Sequence, residues 1–433
     1  MGSWEISLLG FGFMIVLMAL GLPISFAMLI SGGLGIVGVV NLKAALGMLG
    51  QLPISITMNY ELSVVPMFVL MGLFVNRAQL SRDIYDATHA FLGHRRGGLA
   101  MATVTACGGF AAVCGSSLAT AATMAKVAMP SMRRYGFSDK LAVGSIASGG
   151  TIGILIPPSV VLVLYGIMTS TDIGKLFLAG ILPGLLSIGL YIITIAVTTA
   201  MDPASGPRAE RAGYRERLRR LKRVGAMIML FVFIIGGIYL GVFTPTEAGA
   251  AGAFGAFVFA LWRRSLTFWT FIECLMETTK MTAMLFIVLV GAIIFSNFVN
   301  LAGLPGALSN LITSRGVGPM GVIFNMMLVF LVLGCFLDSL AMILLTVPIF
   351  FPIVSSMGFD PIWFGIVVVM VSELALITPP VGMNIFVLKS TIGDVELGTI
   401  YQGVIPFAIA DVVRISIIIF YPAIPLLLPR LAG

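Results

Sequence analysis

Gly115-Ser116-Ser117-Leu118-Ala119-Thr120 opens a stretch that runs to Asp172, and its pattern returns further along the same chain. Ser117-Leu118-Ala119 becomes Ser339-Leu340-Ala341, Pro130 becomes Pro352 and Gly136-Phe137 becomes Gly358-Phe359, each 222 positions on. At the same interval Pro157-Pro158 becomes Pro379-Pro380 and Asp172 becomes Asp394, without a gap. Ten of the 58 aligned positions are identical, and most are Gly, Pro, Ser or Asp, which constrain backbone. A long ungapped match of that kind marks one architectural unit built twice. In each copy small polar residues interrupt an apolar segment, and a Pro-Pro pair breaks the next one. Paired, interrupted hydrophobic segments in the two halves of a membrane protein point to a transport site near the mid-plane.

The composition sets the solvent. Of 433 residues, 59% are hydrophobic and 10% charged, where an ordinary soluble domain carries about a quarter charged. Mean hydropathy is +1.10, and apolar stretches of span length recur along the chain, so the fold class is an all-α polytopic membrane protein. The net charge of +7 does not indicate nucleic acid, because the basic residues sit in short loops between apolar segments, where they act as topology signals. Cys107, Cys114, Cys274 and Cys335 lie in apolar surroundings without metal-ligand spacing and read as small buried hydrophobes. The N-terminus lacks a charged leader and a small-residue cleavage site, so Ile6–Leu22 reads as a retained first span.

The first repeat covers 1–200. Spans are expected at Ile6–Leu22, Ile24–Val40 and Leu62–Asn76, with an interfacial segment at Asn41–Asn59 and an amphipathic surface helix at Ser81–Arg96. Residues 97–132 are a long, largely apolar run bounded by Arg95-Arg96 and Arg133-Arg134. One helix would need only about 20 residues and would put a basic pair on the wrong side. Two half-depth helices meeting at Cys114-Gly115-Ser116-Ser117, a re-entrant hairpin opening to the cytoplasm, satisfy both conditions. The span at 137–168 is broken at Pro157-Pro158, since proline lacks an N–H and pushes the residue before it out of helical geometry. Leu176–Ala200 is the last span of this half.

Residues 201–223 hold eight Arg/Lys together with Pro203, Gly206 and Pro207, and read as a basic cytoplasmic linker. The second repeat, 224–433, is expected to follow the same order. It has spans at Val224–Phe243 and Ala248–Trp262, an amphipathic piece at Leu266–Lys280 and a span at Met281–Asn300. A hairpin at 318–354, a span at 360–390 broken at Pro379-Pro380 and a last span at Gln402–Leu428 complete it. Five spans and one hairpin per half is an odd number, which inverts the second half. The charges agree: Arg133, Arg134 and Lys140 align with Ser355, Ser356 and Ile362. With the linker inside, 19 of the 25 Lys/Arg fall on cytoplasmic segments and both termini are expected to face out.

Backbone leaves helical geometry inside a bilayer only where protein or a wet cavity satisfies its polar groups. Carbonyl and hydroxyl oxygens suit a hard cation such as Na⁺, and helix N-termini suit a carboxylate. In the first half the candidates are Ser116, Ser117 and Thr120 at the tip, with Gly149, Gly150, Thr151, Gly153, Ile156, Pro158 and Ser159 at the break. In the second they are Asp338, Ser339 and Ala341, with Ser372, Glu373, Thr378, Val381, Gly382, Met383 and Asn384. A single Ser or Gly in such helices is ordinarily there for packing; the doubled tip-and-break constellation favours function. Asp338 and Glu373 align with Ser116 and Thr151, so the second copy carries acids where the first is neutral. Such acids serve as ion ligands, proton carriers or partners of a cation. Lys126, deep in the first hairpin, either pairs with an acid or faces an anionic substrate. Asp411 and Arg414, one turn apart, suit a structural ion pair. Asp172 and Asp394 are expected to end helices at the surface.

With these pieces placed, the chain resembles the large membrane (M) subunit of a tripartite ATP-independent periplasmic (TRAP) transporter over essentially its full length. The residues carrying the resemblance are Gly115-Ser116-Ser117-x-Ala119-Thr120, Gly136-Phe137-Ser138 and Gly149-Gly150-Thr151 with Ile156-Pro157-Pro158-Ser159. Phe243-Thr244-Pro245-Thr246-Glu247-Ala248, Asp338 and Thr378-Pro379-Pro380-x-Gly382-x-Asn384 complete the set. What the resemblance implies is Na⁺-coupled uptake of organic acids across a bacterial or archaeal inner membrane. It implies a small four-helix membrane (Q) subunit and a periplasmic substrate-binding (P) protein as partners, and an elevator of hairpins and broken spans moving against a scaffold. By the same analogy about two Na⁺ sites flank the substrate. One pairs Ser116/Ser117 with the Gly153–Ser159 break, the other Asp338/Ser339/Ala341 with the Thr378–Asn384 break. Substrate contacts then fall on Ser116, Gly150, Thr151, Lys126, Glu373 and Asn384.

Three other classes compete, and of these a channel fits paired inverted half-sites less well than alternating access does. A single-component Na⁺- or H⁺-coupled carboxylate transporter of the same superfamily shares hairpins and repeats but needs no binding protein. An intramembrane enzyme needs a nucleophile–base or metal set; the two histidines, His89 and His94, lie in the surface helix, and Cys114 and Ser116 have no base in sequence reach. The residues favour transport over catalysis.

Overall fold

The computed structural model describes residues 3–314, 316, 318–334, 337–379 and 381–432, and among these there is no strand. Among the described residues the first half holds ten α-helices: α1 (Ser3–Ala19), α2 (Ile24–Val39), α3 (Leu42–Thr57), α4 (Val64–Arg77), α5 (Leu80–Leu92), α6 (Gly98–Cys114), α7 (Ser117–Arg134), α8 (Asp139–Thr151), α9 (Val160–Thr169) and α10 (Ile173–Met201). The second half holds α11 (Tyr214–Tyr239), α12 (Pro245–Trp262), α13 (Phe268–Leu301), α14 (Leu304–Ser314), α15 (Pro319–Leu333), α16 (Ser339–Ser356), α17 (Pro361–Ala375), α18 (Met383–Ile392), α19 (Leu397–Phe420) and α20 (Ala423–Leu431). Six of the described helical stretches are long and apolar enough to cross a membrane. Their outward faces are apolar as well: Ile193, Val197, Met229 and Val232 are all more than half exposed. In water that surface would be a liability; against lipid tails it is the expected one.

Local chemistry explains where helices start. Thr244 and Glu247 form a reciprocal capping box: the Thr244 N–H donates to the Glu247 carboxylate at 2.8 Å and the Glu247 N–H donates to the Thr244 hydroxyl at 3.3 Å. The Thr-Pro-Thr-Glu motif is thus a helix start. Two helices that cross closely need glycine at the contact. A Cβ on Gly144 of α8 would lie 2.2 Å from the Gly403 carbonyl oxygen of α19, and one on Gly403 would lie 2.2 Å from the Lys140 carbonyl oxygen.

Several expectations are corrected. The amphipathic piece Leu266–Lys280 and the span Met281–Asn300 are one continuous helix of 34 residues, about 51 Å long. In the first half Asn59 interrupts the corresponding run, its side chain accepting from the Glu61 N–H at 2.9 Å; Lys280-Met281-Thr282 contains no such breaker. The linker 201–223 ends early, because α11 already starts at Tyr214. The span Gln402–Leu428 divides into α19 and α20 at Tyr421-Pro422, where proline cannot continue the ladder. An additional helix, α14, occupies residues between the expected span and hairpin. Finally, α7 and α16 have 18 residues each, about 27 Å against a hydrocarbon core of about 30 Å. They are longer than the half-depth helices expected from the sequence.

Candidate functional site

Four helix starts build the site. Ser116 caps α7, accepting from the Ala119 N–H at 3.4 Å, after Gly115 turns the chain at φ +61. Asp338 caps α16, accepting from the Ala341 N–H at 2.9 Å. Ser159 caps α9 through the Leu162 N–H at 3.3 Å. The fourth, α18, starts at Gly382, whose φ of 64 suits glycine, and no side chain caps it. The residue that precedes the second break, Pro379, is described; Pro380 lies outside the described residues. The peptide bond between Pro157 and Pro158 is cis.

The two hairpin tips converge. Gly115, Ser116, Ser117 and Leu118 of the first face Asp338, Ser339 and Leu340 of the second across a cavity of about 60 Å³. Ile154 and Val161 close it from the first break and Leu376 from the second. Water occupies about 30 Å³ in the liquid, so this space suits a pair of waters or dehydrated ions. Sites for small organic molecules run to about 300–1,000 Å³. Ser117 and Thr120, one turn apart on α7, are both buried and their hydroxyl oxygens have no partner. Ser117 lines the cavity and Thr120 does not; an unpartnered buried oxygen beside an ion-sized space is a donor that a hard cation takes up. The Asp338 carboxylate supplies the charged oxygen on the opposite side.

The other candidates distribute as follows. Gly153, Ile156 and Ser159 are buried in the first break, and Gly115 packs against the Pro158 carbonyl. The Thr378 hydroxyl donates back to the Leu374 carbonyl at 2.6 Å, and the Asn384 N–H donates to the Leu376 carbonyl at 3.1 Å, which folds the second break on itself. Ala341 contributes its N–H to the Asp338 cap, and Met383 opens α18. Asn384 donates through Nδ2 to the Ala147 carbonyl of α8 at 3.2 Å and leaves Oδ1 buried without a partner. Gly150 lies against α7, where a Cβ would meet the Ala121 side chain at 2.8 Å. Lys126 is exposed on α7 rather than turned to the tips.

Thr151 and Glu373 are outside the tip cavity, in a buried polar cluster. Glu373 Oε2 accepts from Arg414 Nη2 at 2.9 Å, and the same guanidinium nitrogen lies 3.2 Å from Asp411 Oδ1. The Asp411–Arg414 pair expected from spacing is present, enlarged by Glu373. Tyr191 donates to Asp411 Oδ2 at 2.7 Å, and Arg414 also donates to the Ser187 hydroxyl. Neither Tyr191 nor Ser187 stands out in the sequence, because a lone hydroxyl in an apolar helix reads as packing. A larger hollow of about 670 Å³ lies between α8, α10 and α19; its walls are mostly aliphatic and include no tip or break residue.

Membrane-spanning helices, capped breaks and an oxygen-lined space between two tips define the class: a multi-pass membrane transport protein. The chain matches the family "Tripartite ATP-independent periplasmic transporter, DctM component" over residues 11–424. It is 38% identical over 376 residues to the C4-dicarboxylate TRAP transporter large permease protein DctM of Pseudomonas aeruginosa, covering 87% of each chain. It is 35% identical over 375 residues to the sialic acid TRAP transporter large permease protein SiaM of Vibrio cholerae, covering 86% of this chain and 87% of that one. Among solved structures, the YdaH transporter of Alcanivorax borkumensis is similar in fold, with a TM-score of 0.59 at 16% identity over 87% of this chain and 89% of that one. The chain therefore belongs to the DctM family of TRAP transporter large permease subunits, which are transporters and not enzymes.

Proposed function

We propose that this subunit imports a small organic anion of the carboxylate class, driven by Na⁺, across the inner membrane. The observation that carries the reading is the meeting of the two tips at an ion-sized cavity, with Ser116, Ser117, Asp338 and Ser339 on its walls. About two Na⁺ would be held by these oxygens and by carbonyls of the breaks, with the anion recruited by the helix N-termini. At about 60 Å³ the cavity is of ion size and not of organic-acid size, so the ions and the anion would occupy separate parts of the site. Dicarboxylate and sialic acid are the substrates named for the two relatives above, and both are carboxylates.

Inverted repeats and an elevator are part of the same proposal. Helix bounds support the repeat: Ser117–Arg134 and Ser339–Ser356 are offset by 222, as are the starts of α8 at Asp139 and α17 at Pro361. Equal structures of opposite orientation are what alternating access about a fixed site uses. The named relatives belong to tripartite systems, which supports a small membrane subunit and a periplasmic binding protein as partners.

The test is reconstitution in proteoliposomes with the small subunit, following uptake of a panel of organic acids with and without an inward Na⁺ gradient and the binding protein. Uptake that needs both supports the reading. Uptake that needs the gradient alone moves the chain to the single-component class, and uptake indifferent to Na⁺ removes the ion sites.

A further inference from the structure

The two breaks share one buried polar core. Thr151 ends α8 at the first break, and the residue 222 positions on is Glu373, in the last turn of α17 before the second. Both are fully buried. Glu373 is bound by Arg414 at 2.9 Å through Oε2, and its other oxygen, Oε1, is buried without a hydrogen-bond partner. The acid of the helix entering the second break is thus tied to α19. On the other side Tyr191, bonded to Asp411 at 2.7 Å, has its oxygen 3.4 Å from the Thr151 hydroxyl.

The helix between them is shaped for this contact. Gly180, Gly184, Ser187 and Tyr191 follow one another at spacings of four, three and four, so they share a face of α10. A Cβ on Gly180 would stand 2.3 Å from the Leu155 carbonyl oxygen, and one on Gly184 would stand 2.7 Å from the Ile156 side chain. The same face then supplies Ser187 to Arg414 and Tyr191 to Asp411.

Stability alone does not account for such a cluster. A fully buried ion pair is seldom more stable than apolar side chains of the same shape, and this one carries two acids for one guanidinium. Its place does account for it. Residues in a break lack the regular helical ladder, so what packs against them sets where their carbonyls point.

We propose that Glu373 and Arg414 are a positioning pair that ties the two breaks together, so that ion binding in one half of the site preforms the other. Neither residue touches the ion or the anion in this assignment, and neither lines the tip cavity. The inference rests on the Na⁺-coupled reading above. In thermodynamic terms the cluster carries a coupling free energy between two ion sites.

The experiment is Na⁺ activation of uptake in proteoliposomes of the permease with its small subunit and binding protein, for wild type, Glu373→Gln and Tyr191→Phe. Glu373→Gln is nearly isosteric and leaves Arg414 balanced by Asp411. Tyr191→Phe keeps the ring against Phe407, 5.4 Å away, and removes the hydroxyl. The expected result for Glu373→Gln is a half-saturating Na⁺ concentration raised roughly fivefold or more and a less steep activation curve. The KM for the organic acid at saturating Na⁺ should stay at the wild-type value. Tyr191→Phe should move the curve in the same direction by less, and it carries the comparison if Glu373→Gln does not fold.

Wild-type Na⁺ curves in both variants would overturn the coupling, as would a raised KM at saturating Na⁺ with the Na⁺ curve unmoved, which makes Glu373 a substrate contact. A change in thermal midpoint alone would reduce the cluster to structure and overturn it as well. Wild-type uptake indifferent to Na⁺ would overturn the functional reading first. Wild-type uptake activated by Na⁺, with both variants matching it, would overturn the coupling alone.

Discussion

Arg133, at the base of α7, hydrogen-bonds Asp394 at 2.7 Å and grips Asp139 through Nε at 2.9 Å. Asp394 belongs to the loop between α18 and α19, so the contact joins the first hairpin to the second half of the chain. The hydrogen bond from Arg133 holds the Asp394 carboxyl below its ordinary range. A carboxyl whose pKa is lower folded than unfolded stabilises the fold above the unfolded value, and that contribution is lost as pH falls through the folded one. Asp394→Asn should therefore lower the thermal midpoint slightly at neutral pH and in low salt, since the pair is exposed. Once the pH has fallen through the folded carboxyl's own lowered range, variant and wild type should melt together. Melting curves across pH check it; a difference that persists in acid would place the effect elsewhere.

Ser117 is buried and its hydroxyl has no partner. An unsatisfied buried hydroxyl is a burden of about 1–3 kcal/mol in an apolar setting, so Ser117→Ala should leave the protein as stable as wild type or slightly more so. As an ion ligand its loss should raise half-saturating Na⁺ by about tenfold, which corresponds to about 1.4 kcal/mol. Stability and Na⁺ activation measured on one preparation separate the two roles. Unchanged activation would remove Ser117 from the ion site.

Helix crossing through Gly144 and Gly403 leaves no room for a methyl group. Gly144→Ala should destabilise by about 1–3 kcal/mol or more, because the atom in the way is backbone. Gly189, on α10, has nothing within 4 Å of a Cβ. Gly189→Ala should be neutral or stabilising by up to about 1 kcal/mol. Thermal midpoints in detergent compare the pair directly; equal effects would contradict the crossing.

How much of this was legible follows from what each residue does locally. Gly115, Ser116, Ser159 and Asp338 mark the tips and breaks in the sequence because they turn or cap the backbone, and the structure uses them for that. Ile154, Val161 and Leu376, which close the cavity, carry no signal in a chain that is 59% hydrophobic. Asp411 and Arg414 are legible as a pair because they are one turn apart. Glu373 is not legible as their partner, since that contact depends on how α17 packs on α19. The continuity of α13 was hidden for a different reason. Hydropathy changes near Lys280, but a helix ends where its backbone is interrupted, and nothing there interrupts it.

The proposed inversion makes a prediction that does not depend on transport. Arg134 and Ser356 end α7 and α16, are 222 positions apart and are both exposed. In a chain built from inverted repeats these equivalent ends lie on opposite sides of the membrane, and in one built from parallel repeats they lie on the same side. By the positive-inside rule the basic residues at 133 and 134 are expected to put the first end in the cytoplasm. Single cysteines introduced as Arg134→Cys and Ser356→Cys, in a background where Cys107, Cys114, Cys274 and Cys335 are alanine, should react with an impermeant maleimide from opposite sides. Ser356→Cys should label in intact spheroplasts, and Arg134→Cys only after the membrane is opened. Labelling of both from one side would dismiss the inversion, and with it an elevator whose two halves exchange roles between inward-facing and outward-facing states.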